Sequence, residues 1–137
     1  MSAAHSVAYV DSSALVKLVI PEPESAPLRT ELAGWERHVS SALARVEVVR
    51  ACARVDPKAR GVAEQVVGAL DLIAVEDELL DEATRLGPAE LRSLDAIHLA
   101  SVLLLGDALG VAIAYDERLL SVFDAAGIPT AVPRSIA

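Results

Sequence analysis

The chain has 137 residues, 53% of them hydrophobic, with 20 acidic against 12 basic side chains and a net charge of −8. That is ample apolar material for one core of ordinary domain size. With only Tyr9, Trp35, Tyr115 and Phe123 as aromatics, it leaves no platform for stacking a row of bases. The one cysteine, Cys52, excludes an internal disulfide and a Cys-rich zinc site. It lies in an apolar helical run and reads as a buried, inert thiol.

Strands and helices alternate along the chain. The first strand is predicted over His5–Val10, ending at Asp11. Ser12–Val19 follows as a helix stopped by Pro21 and Pro23. A helix over Glu24–Trp35 and a short strand over His38–Ser40 come next. Ala42–Val55 reads as a helix with Val48, Ala51, Cys52 and Val55 as its buried stripe, ended by Asp56-Pro57. Lys58–Ala69 is helical, Leu72–Val75 a strand, and Asp77–Leu86 a helix closed by Gly87-Pro88. Ser93–Leu105 is a helix apolar on every side, and therefore expected to be buried. Val111–Tyr115 is a strand ending at Asp116, Glu117–Ala126 a helix closed by Gly127, and Thr130–Val132 a last strand. This alternation predicts an α/β fold, a three-layer sandwich around a central parallel sheet.

Two segments repeat one motif, a buried strand, an aspartate and a helix start: Ala8-Tyr9-Val10-Asp11 and Ile113-Ala114-Tyr115-Asp116. Open parallel sheets place their chemistry at the carboxyl ends of strands, where the winding reverses. A strand order of 3-2-1-4-5 sets the first and fourth strands side by side and brings Asp11 and Asp116 together. Two carboxylates so crowded require a proton or a cation between them.

Two further acids stand in apolar helices. Glu47 borders the buried stripe of its helix, with Arg50 and Arg54 at i+3 and i+7. It is either half of a surface Glu–Arg pair or an inward carboxylate. Asp95 falls in the first turn of the Ser93–Leu105 helix, with Ser93 as the expected N-cap. His98, one turn on, reads as a hydrogen-bonded core residue rather than a metal ligand. Ser13 is positioned to donate to Asp11 or to cap the helix start. Net acidity argues against a phosphate-binding surface, since such surfaces carry a basic footprint. The distribution softens this, with acids gathered in Asp71–Glu82 and Arg45, Arg50, Arg54, Lys58 and Arg60 as a basic counterweight.

The four acids in these contexts resemble the PIN-domain ribonucleases, and nearest among them the VapC toxins of type II toxin–antitoxin systems. The resemblance spans essentially the whole chain, residues 1–137 as a single PIN domain. It rests on Val10-Asp11-Ser12-Ser13-Ala14-Leu15-Val16-Lys17-Leu18, Ser41-Ala42-Leu43-Ala44-Arg45-Val46-Glu47, Leu91-Arg92-Ser93-Leu94-Asp95-Ala96-Ile97-His98-Leu99-Ala100, and Ala114-Tyr115-Asp116-Glu117-Arg118-Leu119 with Ala125-Ala126-Gly127-Ile128. It implies a metal-dependent endoribonuclease leaving a 5′-phosphate and a 3′-hydroxyl. Asp11, Glu47, Asp95 and Asp116 become its acidic, metal-holding cluster, with Asp11 and Asp95 the surest ligands and Ser13 a supporting hydrogen-bonder. Oxygen-only ligation suits Mg²⁺ or Mn²⁺. The resemblance also implies a homodimer and a small VapB-like antitoxin. Arg92 is a candidate RNA contact, or simply a surface arginine.

Other classes fit less well. A phosphorelay receiver needs a lysine late in the chain, and the only lysines are Lys17 and Lys58. A haloacid-dehalogenase-type phosphatase wants an aspartate where Ser13 stands. A catalytically silent PIN-fold binding or assembly module is the rival of a different kind. The N-terminus lacks a basic region followed by a long apolar stretch, and the run near Leu99–Leu105 is too short to span a bilayer. A soluble cytoplasmic protein is therefore expected, with no membrane partner.

Overall fold

A computed structural model describes residues 4–135. Five parallel strands form one sheet in the order β3-β2-β1-β4-β5. They are β1 (Val7–Val10), β2 (Arg37–Ser41), β3 (Asp71–Ile73), β4 (Leu109–Ile113) and β5 (Thr130–Ala131). The predicted order holds, and β1 and β4 are neighbours, with Val10 opposite Ile113.

Alternation along the central strands distributes side chains to two apolar layers. Ala8, Val10, Val111 and Ile113 face α1 (Ser12–Leu15), α2 (Ser25–Ala33), α3 (Ala44–Val55) and α4 (Arg60–Gly68), meeting Leu15, Leu28, Val48, Cys52 and Val67. Val7, Tyr9 and Ala112 face the other way, toward Leu99 and Val102 of α6 (Ser93–Leu104) and Leu119 and Phe123 of α7 (Glu117–Ala125). The helix α5 (Asp77–Arg85) packs Leu79 and Ala83 against Ala96 and Ala100 of α6. The three layers follow from this division.

Several expectations are corrected. The predicted Ser12–Val19 helix is a single α turn that tightens into a 3-10 turn over Val16–Leu18. The fourth strand runs Leu109–Ile113, so Tyr115 lies in the following loop. There its amide donates to Ser13 Oγ (2.9 Å) and its hydroxyl to the Pro133 carbonyl (2.6 Å). Ser93 does not cap α6, because Arg92 occupies the N-cap position and makes no side-chain cap bond. Val55 is not part of the α3 stripe. It is 66% exposed at the helix end, and Val49 is buried instead. Nor is α6 buried all round: Leu94, Leu103 and Leu104 are exposed, Leu104 by 68%. Cys52 is buried, as expected. No helix among the described residues is long and apolar enough to cross a membrane.

Candidate active site

Asp11 leaves β1 and Asp116 follows β4, so both emerge at the carboxyl edge of the sheet where its winding reverses. Each carboxylate caps the helix after it. Asp11 Oδ2 accepts from the Ser13 amide (3.1 Å), and Asp116 Oδ1 from the amides of Arg118 (2.9 Å) and Leu119 (3.4 Å). Ser13 ties the two segments together. Its hydroxyl donates to Asp11 Oδ2 (2.7 Å) and accepts from the backbone N–H of Tyr115 and, at 3.3 Å, of Asp116. Ser13→Ala should therefore orphan one or two amides and lower stability by about 1–3 kcal/mol. Ser13→Thr keeps the hydroxyl and should retain most of that stability. Thermal unfolding of the two variants beside the parent chain distinguishes these outcomes.

Glu47 reaches the same place from the first turn of α3, and Asp95 from the first turn of α6. Asp11, Ser12, Ser13, Glu47, Arg92, Leu94, Asp95, His98, Asp116 and Leu119 line one cavity of about 180 Å³. The structure thus brings all four predicted acids, Ser13 and Arg92 to a single recess. It resolves the alternatives for Glu47, which is half-buried and bonded to Ser12 and His98 rather than to Arg50 or Arg54. Arg92 is exposed at the rim. Larger surface clefts lie elsewhere: one of about 450 Å³ between α3 and α4 holds a single carboxylate, Glu64, and one of about 410 Å³ beside α5 and α6 has Glu76, Glu78 and Glu82, which come from one short stretch of chain rather than from four separate segments.

The environments of two acids pull apart. Glu47 is half-buried, which by itself raises its pKa, but bonds from His98 and Ser12 outweigh burial and bring it below the ordinary glutamate value. Asp95 is raised above the ordinary aspartate value by burial first, and next by the charge of Asp116, against the opposing influence of Arg92 and His98. Its Oδ2 is buried without a hydrogen-bond partner. The two shifts have opposite signs and different causes, hydrogen bonding at Glu47 and burial beside like charge at Asp95.

His98 is buried, as the sequence suggested, but it does more than fill space. One ring nitrogen, Nδ1, lies 2.8 Å from the Tyr9 hydroxyl. The other, Nε2, lies 3.2 Å from Glu47 Oε1 and 3.8 Å from Asp11 Oδ1. Burial lowers the imidazole pKa, yet the Glu47 bond and the nearby Asp11, Glu47 and Asp95 charges overcome that and hold it above the ordinary value. Burial and the charges of Asp11 and Glu47 push the Tyr9 phenol well above its usual range. Tyr9 was not among the expected site residues. It reads as an alternating core residue of β1, and nothing local marks its contact with a histidine 89 positions away.

The donor set is all oxygen, which suits a hard divalent cation. Asp11 and Asp116 each commit one oxygen to backbone amides, and Glu47 receives both of its donors on Oε1. The second oxygens, and the orphaned Asp95 Oδ2, remain for a cation. Among the described residues no three acidic, histidine or cysteine side chains converge into a ready ligand cage. That still fits Mg²⁺, which keeps several waters and takes only one or two carboxylates.

Comparison with known proteins points to one family. The sequence matches the PIN domain family over residues 8–125. It is 45% identical over 125 residues to Ribonuclease VapC46 of Mycobacterium tuberculosis (strain ATCC 25618 / H37Rv), spanning 91% of this chain and 96% of that protein. It is 40% identical over 133 residues to Ribonuclease VapC47 of Mycobacterium tuberculosis (strain CDC 1551 / Oshkosh), spanning 93% and 98%. The crystal structure of Mycobacterium tuberculosis VapC20, a sarcin-ricin loop cleaving toxin, has the same fold. Its TM-score is 0.73 at 20% identity, over 92% of this chain and 99% of that one. Motif order, strand order, the shared recess and these relatives agree: the chain belongs to the PIN-domain family, in its VapC group.

Proposed function

We propose that this chain is a divalent-metal-dependent endoribonuclease and the toxin of a VapBC-type pair. The observation that carries the reading is the meeting of Asp11, Glu47, Asp95 and Asp116, from four separate segments, in one recess at the carboxyl edge of the sheet. The ribonuclease names of relatives at 45% and 40% identity support it.

Asp11 and Asp95 would hold Mg²⁺ or Mn²⁺, with Glu47 and Asp116 completing the acidic wall. When bound, such an ion supplies Lewis-acid activation of water and neutralises charge at the scissile phosphate. A carboxylate oxygen of the acidic wall that does not hold the ion would accept a proton from the attacking water. Water adds to phosphorus, the bond from phosphorus to O3′ breaks, O3′ takes up a proton from solvent, and a 5′-phosphate and a 3′-hydroxyl remain. Arg92 at the rim contacts the flanking phosphate, a local positive charge on a chain whose net charge is −8.

Exposed Leu103 and Leu104 at the end of α6 are apolar surface that a second copy could cover, and a homodimer is part of the proposal. A small VapB-like antitoxin is the expected inhibitory partner, and the cytoplasm the expected place of action. Incubation with tRNA, ribosomal RNA fragments and mRNA, in Mg²⁺, in Mn²⁺ and in EDTA, tests the assignment. Cleavage is expected only with metal, and not from Asp11→Asn. Intact RNA throughout, or equal cleavage in EDTA, would refute it.

A further inference from the structure

A hydrogen-bonded line runs from the core into the recess. Phe123 meets Tyr9 edge to face, with ring centroids 6.3 Å apart, and Tyr9 meets His98 in the same way at 6.3 Å. The Tyr9 hydroxyl then bonds His98 Nδ1 at 2.8 Å, and His98 Nε2 bonds Glu47 Oε1 at 3.2 Å. Tyr9 is fully buried, so its hydroxyl has no water to turn to. The Glu47 carboxylate can only accept, so Nε2 carries a proton and donates it; in the neutral imidazole Nδ1 then accepts from the Tyr9 hydroxyl. Ser12 Oγ donates to the same glutamate oxygen at 2.8 Å. Both donors therefore converge on Oε1 and leave Oε2 for the recess. A glutamate on an exposed helix face would hold its three side-chain torsions loosely; this one is clamped from two sides.

We infer that His98, oriented by Tyr9, is a positioning residue that fixes the Glu47 carboxylate for divalent-cation binding. It does not touch the cation or the substrate. Loss of such an outer partner typically weakens metal affinity or activity by about 10–100-fold. The inference rests on the metal-dependent reading above, and its test separates the two.

The test is Mn²⁺ binding to the full chain, followed by electron paramagnetic resonance and isothermal titration calorimetry. Wild type and Asp11→Asn examine the site itself: binding by the first and not the second supports the metal reading. His98→Leu is then expected to weaken Mn²⁺ binding by about tenfold. His98→Gln carries an amide donor where Nε2 stood and should recover most of that loss. Tyr9→Phe removes only the hydroxyl, and should weaken binding in the His98 background but add nothing in His98→Leu. That non-additivity is a readout that general core damage would not produce; should His98→Leu fold poorly, the inference is read instead from weakened binding by Tyr9→Phe and near-parental binding by His98→Gln. Unchanged Mn²⁺ affinity in Tyr9→Phe and His98→Gln together with His98→Leu, or additive losses in the double variant, would overturn the inference while leaving the metal site intact. Absence of Mn²⁺ binding by wild type would instead overturn the reading beneath it.

Discussion

Asp95→Asn is expected to abolish RNA cleavage while raising the melting temperature of the metal-free protein. The two effects have one origin. Asp95 carries a buried oxygen with no partner and sits within the field of Asp116 and Asp11. Burial and that repulsion raise its folded-state pKa above the ordinary 3.8. An acid so displaced costs stability when ionised. The cost is full above its folded-state pKa and is relieved as pH falls through that value toward 3.8. Asparagine has nearly the same shape without the charge. The melting advantage of the variant in EDTA should therefore be largest near neutral pH and should close on acidification. In Mg²⁺ the order reverses, because only the parent chain gains from the ion. Cleavage should fall by at least about 10²-fold, the scale on which removing one group that stabilises transition-state charge acts. RNA cleavage rates and melting curves in EDTA and Mg²⁺ provide the check. Parental cleavage by the variant, or a lower melting temperature in EDTA at neutral pH, would contradict the account.

Gly110→Ala is expected to destabilise the fold strongly, without touching any acid. A β-carbon at Gly110 would lie 2.1 Å from Trp35 Cζ3 and 2.5 Å from the His5 carbonyl oxygen. Neither neighbour is at liberty to retreat. Trp35 is held by a 2.7 Å bond from Nε1 to Glu31, and the His5 amide by a 2.8 Å bond to the Asp107 carbonyl. Overpacking of this kind costs about 3 kcal/mol, and the backbone contact puts this case at the upper end. For a chain of this size that corresponds to a fall in melting temperature of roughly 10 °C. Trp35 is the only tryptophan, so its fluorescence also reports displacement of the ring. A variant within about 2 °C of the parent, with unchanged emission, would show that β4 shifts at little cost.

Much of the site was legible because carboxylates at strand ends and in apolar helices are locally odd. Asp11 and Asp116 each stand between a strand and a helix start, and the need to relieve their repulsion suggested the strand order that the sheet adopts. Ser13 was legible for the same reason, two residues from the acid it serves. The rest depended on tertiary geometry. Whether Glu47 turned inward could not be read from α3 alone, because Arg50 and Arg54 offer a helix-surface partnership at equally good spacing. His98 was readable as buried, but its two partners lie 51 and 89 positions away. Boundaries moved where local apolarity continued past the ladder. Ala114 and Tyr115 look like strand, yet the Tyr115 amide is taken by a serine side chain instead of a neighbouring strand. The exposed leucines of α6 escaped notice because composition tells that a helix is apolar, not which side the domain covers.

The borders of the sheet carry a last consequence. β3 and β5 are three and two residues long. A stray extended segment finds few rungs there on which to lengthen the sheet, so fibre-like growth from either margin has almost no template.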